Sequence, residues 1–241
     1  MKVKVAVTIP FGRRVVPEWA TQFANLSYPT NCRYAHLWAK NMKRDVARNT
    51  LVQQALDLDA EYVLFLDDDT APPLMTPTAL VSVLDQADEN VVVCGGIYTT
   101  KTDPATPIVY KEPLSGPFWR WKYGEIFPCF ATGTGCMLIR ASVFKTLPQP
   151  WFRDIDSRED ADAMILGATQ DDGNGKFRVT DDLYFCHMLA EHGFKVMAHG
   201  GILPMHFDDG GTPHVLARDS YPLKDLKTPL WYDPYVAPFG K

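Results

Sequence analysis

Residues 62–66 form an unbroken apolar run, Tyr62-Val63-Leu64-Phe65-Leu66, which ends abruptly in three aspartates, Asp67-Asp68-Asp69. A short run apolar at every position reads as a strand with no solvent face, as in a parallel sheet covered on both sides. Three adjacent carboxylates at its end repel one another and are costly to desolvate. They call for a compensating positive charge, most simply a divalent cation. This segment alone predicts a covered sheet with a charged site beyond the carboxyl end of a strand, where open α/β sheets bind ligands.

The flanking segments fit the same architecture. Val3, Val5, Val7 and Ile9 alternate with Lys2, Lys4, Ala6 and Thr8, the period of a strand that stops at Pro10. Residues 17–27 suggest a short helix. Ala47, Leu51, Ala55 and Leu58 share one face of a helix over 43–58, and Leu80, Val81 and Leu84 mark another over 76–88. Val91 to Cys94 is a second buried strand, closed by Gly95-Gly96. The first hundred residues therefore run strand, helix, strand, helix, strand, an α/β order. Cys136 to Arg140 is expected as a strand and 154–178, charged and glycine-bearing, as a mobile surface loop. Thr180 is placed to N-cap a helix over 181–192 with Gly193 as C-cap. A last strand within Val196–Met205 ends at His206.

Composition narrows the class. The chain has 241 residues, room for one large domain, and 46% hydrophobic residues, which excludes wholesale disorder. No stretch approaches the roughly 20 apolar residues of a membrane helix. The alternating N-terminus lacks the apolar core of an export signal, so a cytoplasmic location is expected. Five cysteines with no C-x-x-C spacing fit reduced thiols rather than a disulfide framework or a zinc site. A net charge of −5 argues against a broad grip on a nucleic-acid backbone, though not against a local basic groove.

Four segments carry a family resemblance: VAVTIPFGRR, YVLFLDDDTAPP, ATGTGCMLIRASVF and TDDLYFCHMLAEHGFKV, the last followed by ILPMHF. In this order they resemble the GT-A-fold glycosyltransferases, particularly family 2-like enzymes of the compact kind found in phage genomes. The resemblance runs from about residue 3 to about 207. It implies a GT-A fold, α/β with a mostly parallel central sheet flanked by helices. Within one catalytic domain, about 1–100 would be the nucleotide-binding half and about 101–207 the acceptor and sugar half. The rest, about 208–241, would be a proline-rich tail or lid.

The resemblance also implies roles. Asp67 would contact ribose or base and serve as a further metal ligand, Asp69 would bind Mn²⁺ or Mg²⁺, and Asp68 would share either task. His206 would complete the metal shell; imidazole with carboxylate suits Mn²⁺. Thr180-Asp181-Asp182 matches the xED motif but carries Asp where Glu is usual. Asp182 aligns with the catalytic base of inverting enzymes, and the substitution leaves open whether it or Asp181 faces the acceptor. Pro10 and Arg13 fall in the nucleotide loop. Arg48, with Arg13 and Arg44, is a candidate for the diphosphate because guanidinium forks suit phosphate. Gly95, Gly96, Gly133 and Gly135 would let donor or sugar approach the backbone. The implied donor is a nucleotide-sugar, first a UDP-sugar.

The acceptor is less constrained. Phe118-Trp119-Arg120-Trp121-Lys122-Tyr123 interleaves aromatic and basic residues, either a stacking platform or a loop pinned to the core. With Lys40, Lys43 and Arg44 it is a candidate DNA groove. The resemblance to phage enzymes implies hydroxymethylated pyrimidines of DNA as the specific acceptor, with protein or glycan as the alternatives. Two other functions share parts of the pattern: a sugar-1-phosphate nucleotidyltransferase, disfavoured by the single glycine in PFGRR, and a non-catalytic nucleotide-sugar-binding module.

Overall fold

The structure is a computed structural model and describes residues 2–12, 15–30, 32–157, 179–227 and 229–231. A seven-stranded mixed sheet forms its centre. In chain order the strands are β1 (Val3–Phe11), β2 (Arg33–Lys40), β3 (Tyr62–Leu66), β5 (Val91–Gly96), β7 (Ile126–Cys129), β9 (Cys136–Arg140) and β10 (Lys195–His199). Their spatial order is β2-β1-β3-β9-β5-β10-β7. Pairings β1–β2, β1–β3 and β5–β10 are parallel, whereas β9 runs antiparallel between β3 and β5, and β7 antiparallel to β10. Most strands thus point one way, as expected. The reversed β9, at the middle of the sheet, was not foreseen.

Helices cover both faces. The side chains of β3 alternate: Val63 and Phe65 pack with α2 (Arg44–Asp57) and α4 (Asp181–Glu191), and Tyr62, Leu64 and Leu66 with α1 (Pro17–Ala24) and α3 (Thr76–Gln86). Every residue of β3 is buried, as its composition requires. Phe152 and Phe185 stack on the α2/α4 side, with ring centroids 4.6 Å apart.

Several local expectations shift. The predicted helix boundaries move by a few residues, and Gly95-Gly96 are not a closing turn but the last residues of β5. Strand β2 was missed, because Tyr34, His36 and Trp38 alternate with Ala35, Leu37 and Ala39 and neither set is plainly polar. Thr180 holds the extended N-cap backbone, yet its hydroxyl does not cap a helix N–H; it donates to the Asp182 carboxylate. His192 is the C-cap, and Gly193 follows it with φ of 76°, where a side chain would be strained. Of the loop expected over 154–178, the stretch 158–178 lies outside the described residues. Asp154 and Ile155 are not surface loop: both are buried, and Ile155 bridges to Val179.

Short strands outside the central sheet add small pieces. Strand β4 (Thr70–Ala71) pairs with β11 (Met205–Phe207), which pairs with β12 (Pro213–His214); β6 (Val109–Tyr110) pairs with β8 (Ala131–Thr132). The β4–β11 pairing sets His206 opposite Thr70 and so beside Asp69. Among the described residues no helix is long and apolar enough to cross a membrane.

The backbone approaches at the four candidate glycines are filled by protein. A Cβ on Gly95 would fall on the Thr132 side chain, and one on Gly96 would lie 2.8 Å from Ile202 Cγ2. Gly133 and Gly135 are held small by Tyr98. Gly95→Ala is expected to cost about 1–3 kcal/mol, lowering Tm by roughly 2–12 °C. Adding Thr132→Ser should recover most of the loss. An unchanged melting curve for Gly95→Ala would refute this packing account.

Candidate active site

The carboxyl ends of β1 and β3 open into a cleft of about 860 Å³. Pro10, Phe11 and Gly12 line one side, Asp67, Asp68 and Asp69 the floor, and Thr180, Asp181 and Asp182 the start of α4; His206, Tyr98 and Lys101 also face it. The cleft therefore brings together Pro10, Arg48, the aspartate triplet, Asp181, Asp182 and His206. Gly95, Gly96, Gly133 and Gly135 do not line it, and Arg13 lies outside the described residues. The close approach at each of the four glycines is made by protein side chains.

Arg48 joins the two acidic motifs. It is fully buried on α2, and its Nη1 and Nη2 donate to the two oxygens of Asp67 at 2.9 and 3.0 Å. Its Nε donates to Asp181 Oδ2 at 2.7 Å. Burial opposes the guanidinium charge, but Asp67 and Asp181 outweigh it and hold the group firmly protonated. Arg44 reinforces the far end, with Nε 3.0 Å from Asp181 Oδ1 and Nη2 donating to the buried Asp154 at 3.1 Å. Asp181 is closed off from solvent; burial pushes its carboxyl up while Arg48 and Arg44 pull it back. Arg48 and Asp181 are therefore committed to each other rather than to a phosphate or an acceptor, and Asp67 is gripped on both oxygens.

Asp68 is also engaged, accepting the Gly12 N–H at 2.8 Å and so fixing the loop after β1. The indole N–H of Trp19 holds the Asp67 carbonyl at 2.8 Å. These bonds set the backbone of the triplet and present Asp69 to the cleft.

Positive charge gathers at Asp69. Lys101 Nζ lies 2.5 Å from Oδ2 and His206 Nε2 lies 3.5 Å from Oδ1. Burial by itself would raise the Asp69 carboxyl; hydrogen bonding and charge from His206 and Lys101 prevail and hold it well below the usual carboxylate range. His206 Nδ1 must donate to the Thr99 carbonyl, 2.6 Å away, since a carbonyl only accepts. With Nδ1 committed to that carbonyl, Nε2 is the ring nitrogen turned toward Asp69, the orientation in which a carbonyl behind the ring fixes a metal-ligating imidazole. Tyr98 packs edge-on to the ring, with centroids 5.1 Å apart.

Among the described residues no three His, Cys, Asp or Glu side chains form a complete metal-holding group. Asp69 and His206 are the described cleft residues that could share a cation. The surroundings point the same way, since five aspartates line the cleft against Arg44, Arg48 and Lys101. A diphosphate entering this acid excess needs added positive charge.

Asp182 differs from its neighbour. It faces the cleft from the first turn of α4, and its Oδ1 accepts from the Thr180 hydroxyl and, at 2.9 Å, from the Leu183 N–H. No described residue donates to Oδ2. Lys101 and Asp154 were not singled out from sequence; neither sits in a pattern that marks it.

Three residues of the candidate DNA groove have partners in the protein. Trp121 is buried in a core cluster with Phe127 and Leu223, which makes the aromatic segment a pinned loop. Lys43 pairs with Asp45 at 3.1 Å, and Arg44 is spent on Asp154 and Asp181.

Among solved structures, the chain is similar to A197 from STIV, at a TM-score of 0.58 and 16% identity over 89% of this chain and 95% of that one. It is also similar to the glycosyltransferase GalNAc-T7, solved with UDP, GalNAc and Mn²⁺, at a TM-score of 0.56 and 11% identity over 85% of this chain and 44% of that one. The fold is GT-A. At such identities the likeness carries the GT-A fold and no more, so the chemistry has to be argued from the cleft. No family model matches the chain, and no curated protein does.

Replacing one partner of a buried charge cluster strands the others, at a cost of about 3–5 kcal/mol. Arg48→Met should lose stability on that scale in urea unfolding. Arg48→Lys should not restore it, because a point charge cannot grip Asp67 with a fork. An Arg48→Met protein as stable as wild type would contradict the clamp.

Proposed function

We propose that the chain is a metal-dependent glycosyltransferase that moves a sugar from a nucleotide-sugar, first a UDP-sugar, to an acceptor hydroxyl with inversion. The observation that carries this reading is the division of labour in one GT-A cleft. Asp69 and His206 form an open cation pair, and Asp182 is a cleft-facing carboxylate whose neighbour Asp181 is locked away.

Asp69 and His206 would hold Mn²⁺ or Mg²⁺, which when bound supplies charge neutralisation for the departing diphosphate. Asp182 is the base. The Thr180 hydroxyl and the Leu183 N–H occupy Oδ1 and orient the carboxylate, and Oδ2 takes the acceptor proton. The start of α4 favours an anionic side chain at this position. As the acceptor oxygen bonds to the anomeric carbon, the bond from that carbon to the diphosphate oxygen breaks, and the nucleoside diphosphate leaves with the electron pair. Asp67 and Asp68, held by Arg48 and the Gly12 N–H, shape the nucleotide side of the cleft, and Pro10 walls it.

Incubation with a panel of nucleotide-sugars and Mn²⁺ should release nucleoside diphosphate from one of them, water acting as a slow acceptor. Asp182→Asn is expected to keep donor affinity and lose release by roughly 10²–10⁴-fold, the range for a positioned base. Asp69→Asn should lose metal-dependent donor affinity itself. Wild-type turnover by Asp182→Asn would sink the assignment of the base, and loss of turnover by Asp181→Asn in a protein of unchanged stability would move it one residue back.

A further inference from the structure

Among the described residues, strand β2 is an edge of the seven-stranded sheet. Its Ala35, Leu37 and Ala39 face the core beside α2, and its other face carries Tyr34, His36 and Trp38. The three rings form a row, with centroids 5.6 Å apart from Tyr34 to His36 and 6.2 Å from His36 to Trp38. Tyr34 and Trp38 are 49% and 50% exposed. Protein braces the row from one side: Tyr28 stacks on Tyr34 at 4.0 Å and meets His36 Nε2 through its hydroxyl at 3.0 Å, and Phe23 packs on His36 and Trp38. Burial lowers the pKa of His36, so the row is uncharged at neutral pH. No described residue bonds to the Tyr34 hydroxyl or the Trp38 indole N–H.

The row leads to the cleft. Trp38 lies opposite Ile9, and the next register pairs are Pro10 with Ala39 and Phe11 with Lys40. Pro10 and Phe11 are cleft wall, and so is Met42, itself half exposed four residues beyond Trp38.

We propose that the Tyr34–His36–Trp38 row is a subsite for an extended neutral glycan, holding the acceptor chain while its end reaches the cleft. This deepens the glycosyltransferase reading and rests on it. Flat ring faces suit the polarised C–H faces of sugar rings, and the phenol, the indole N–H and the open backbone edge of β2 suit hydroxyls. A polyanion is disfavoured: the strand's cations, Arg33 and Lys40, sit only at its two ends, and the cleft beyond has an acid excess. A second copy paired antiparallel about the centre of β2 would set Arg33 against Lys40 at both ends, a like-charge penalty that also guards edge strands.

The test is isothermal titration of the full chain with maltohexaose, cellohexaose, chitohexaose and mannohexaose. A twelve-residue oligothymidine and light scattering for mass run in parallel. One of the glycans should bind, about tenfold more weakly to Trp38→Ala and to Tyr34→Ala, with Trp38→Phe recovering most of the loss. Both alanine variants should keep the wild-type thermal shift with UDP and Mn²⁺. No glycan binding, or binding indifferent to both alanine substitutions, overturns the proposal. Salt-sensitive oligothymidine binding without glycan binding reassigns the row to nucleic acid; a dimer that dissociates in Trp38→Ala assigns it to a second copy. Absence of any donor response in the wild type would instead undermine the glycosyltransferase reading, separately from the glycan titration.

Discussion

The Arg48 guanidinium lies out of water between Asp67, at the end of β3, and Asp181, at the start of α4. A cation in that position is tolerable only because three charge-assisted hydrogen bonds replace its hydration. The same bonds decide what the neighbouring carboxylates can do. Asp67 has both oxygens committed and Asp181 is sealed behind Arg44 and Arg48. The cleft-facing carboxylates outside this clamp are Asp69, two residues after Asp67 and paired with Lys101 and His206, and Asp182, next to Asp181. In the proposed mechanism, structural and chemical roles are thus divided between residues one or two positions apart.

Sheet topology completes the arrangement. Because β3 and β1 are parallel neighbours, the loop after β1 and the triplet after β3 emerge side by side, and the Gly12 N–H can reach Asp68. The short β4–β11 pairing returns the chain from the far half of the sequence and sets His206 against Asp69. Lys101 arrives from the segment after β5. Stretches far apart in sequence therefore meet at one rim of the sheet.

What the sequence made legible is what is local. A fully apolar strand running into three aspartates announces both a covered sheet and a charged rim. The helical spacing of Ala47, Leu51 and Ala55 announces α2. What stayed hidden is non-local. Arg48 finds partners 19 and 133 residues away, and no spacing rule links them. Asp181 and Asp182 are equivalent in sequence, and only the docking of α4 on the sheet turns one inward and the other to the cleft. The glycines showed that something comes close to the backbone, but not that it is Thr132, Ile202 and Tyr98 rather than a ligand. The alternation in β2 was present, but rings on one face and Ala and Leu on the other conceal which side is wet.

The central claim is that Asp69 and His206 hold the cation of a nucleotide-sugar within reach of Asp182. Anomalous scattering at the manganese edge, from crystals grown with Mn²⁺ and a UDP-sugar, tests it most directly. The account predicts one manganese peak bonded to Asp69, His206 and the diphosphate, with Lys101 displaced from Asp69 and the anomeric carbon facing Asp182. A nucleotide bound in the cleft with Lys101 still on Asp69 and no manganese there would contradict it.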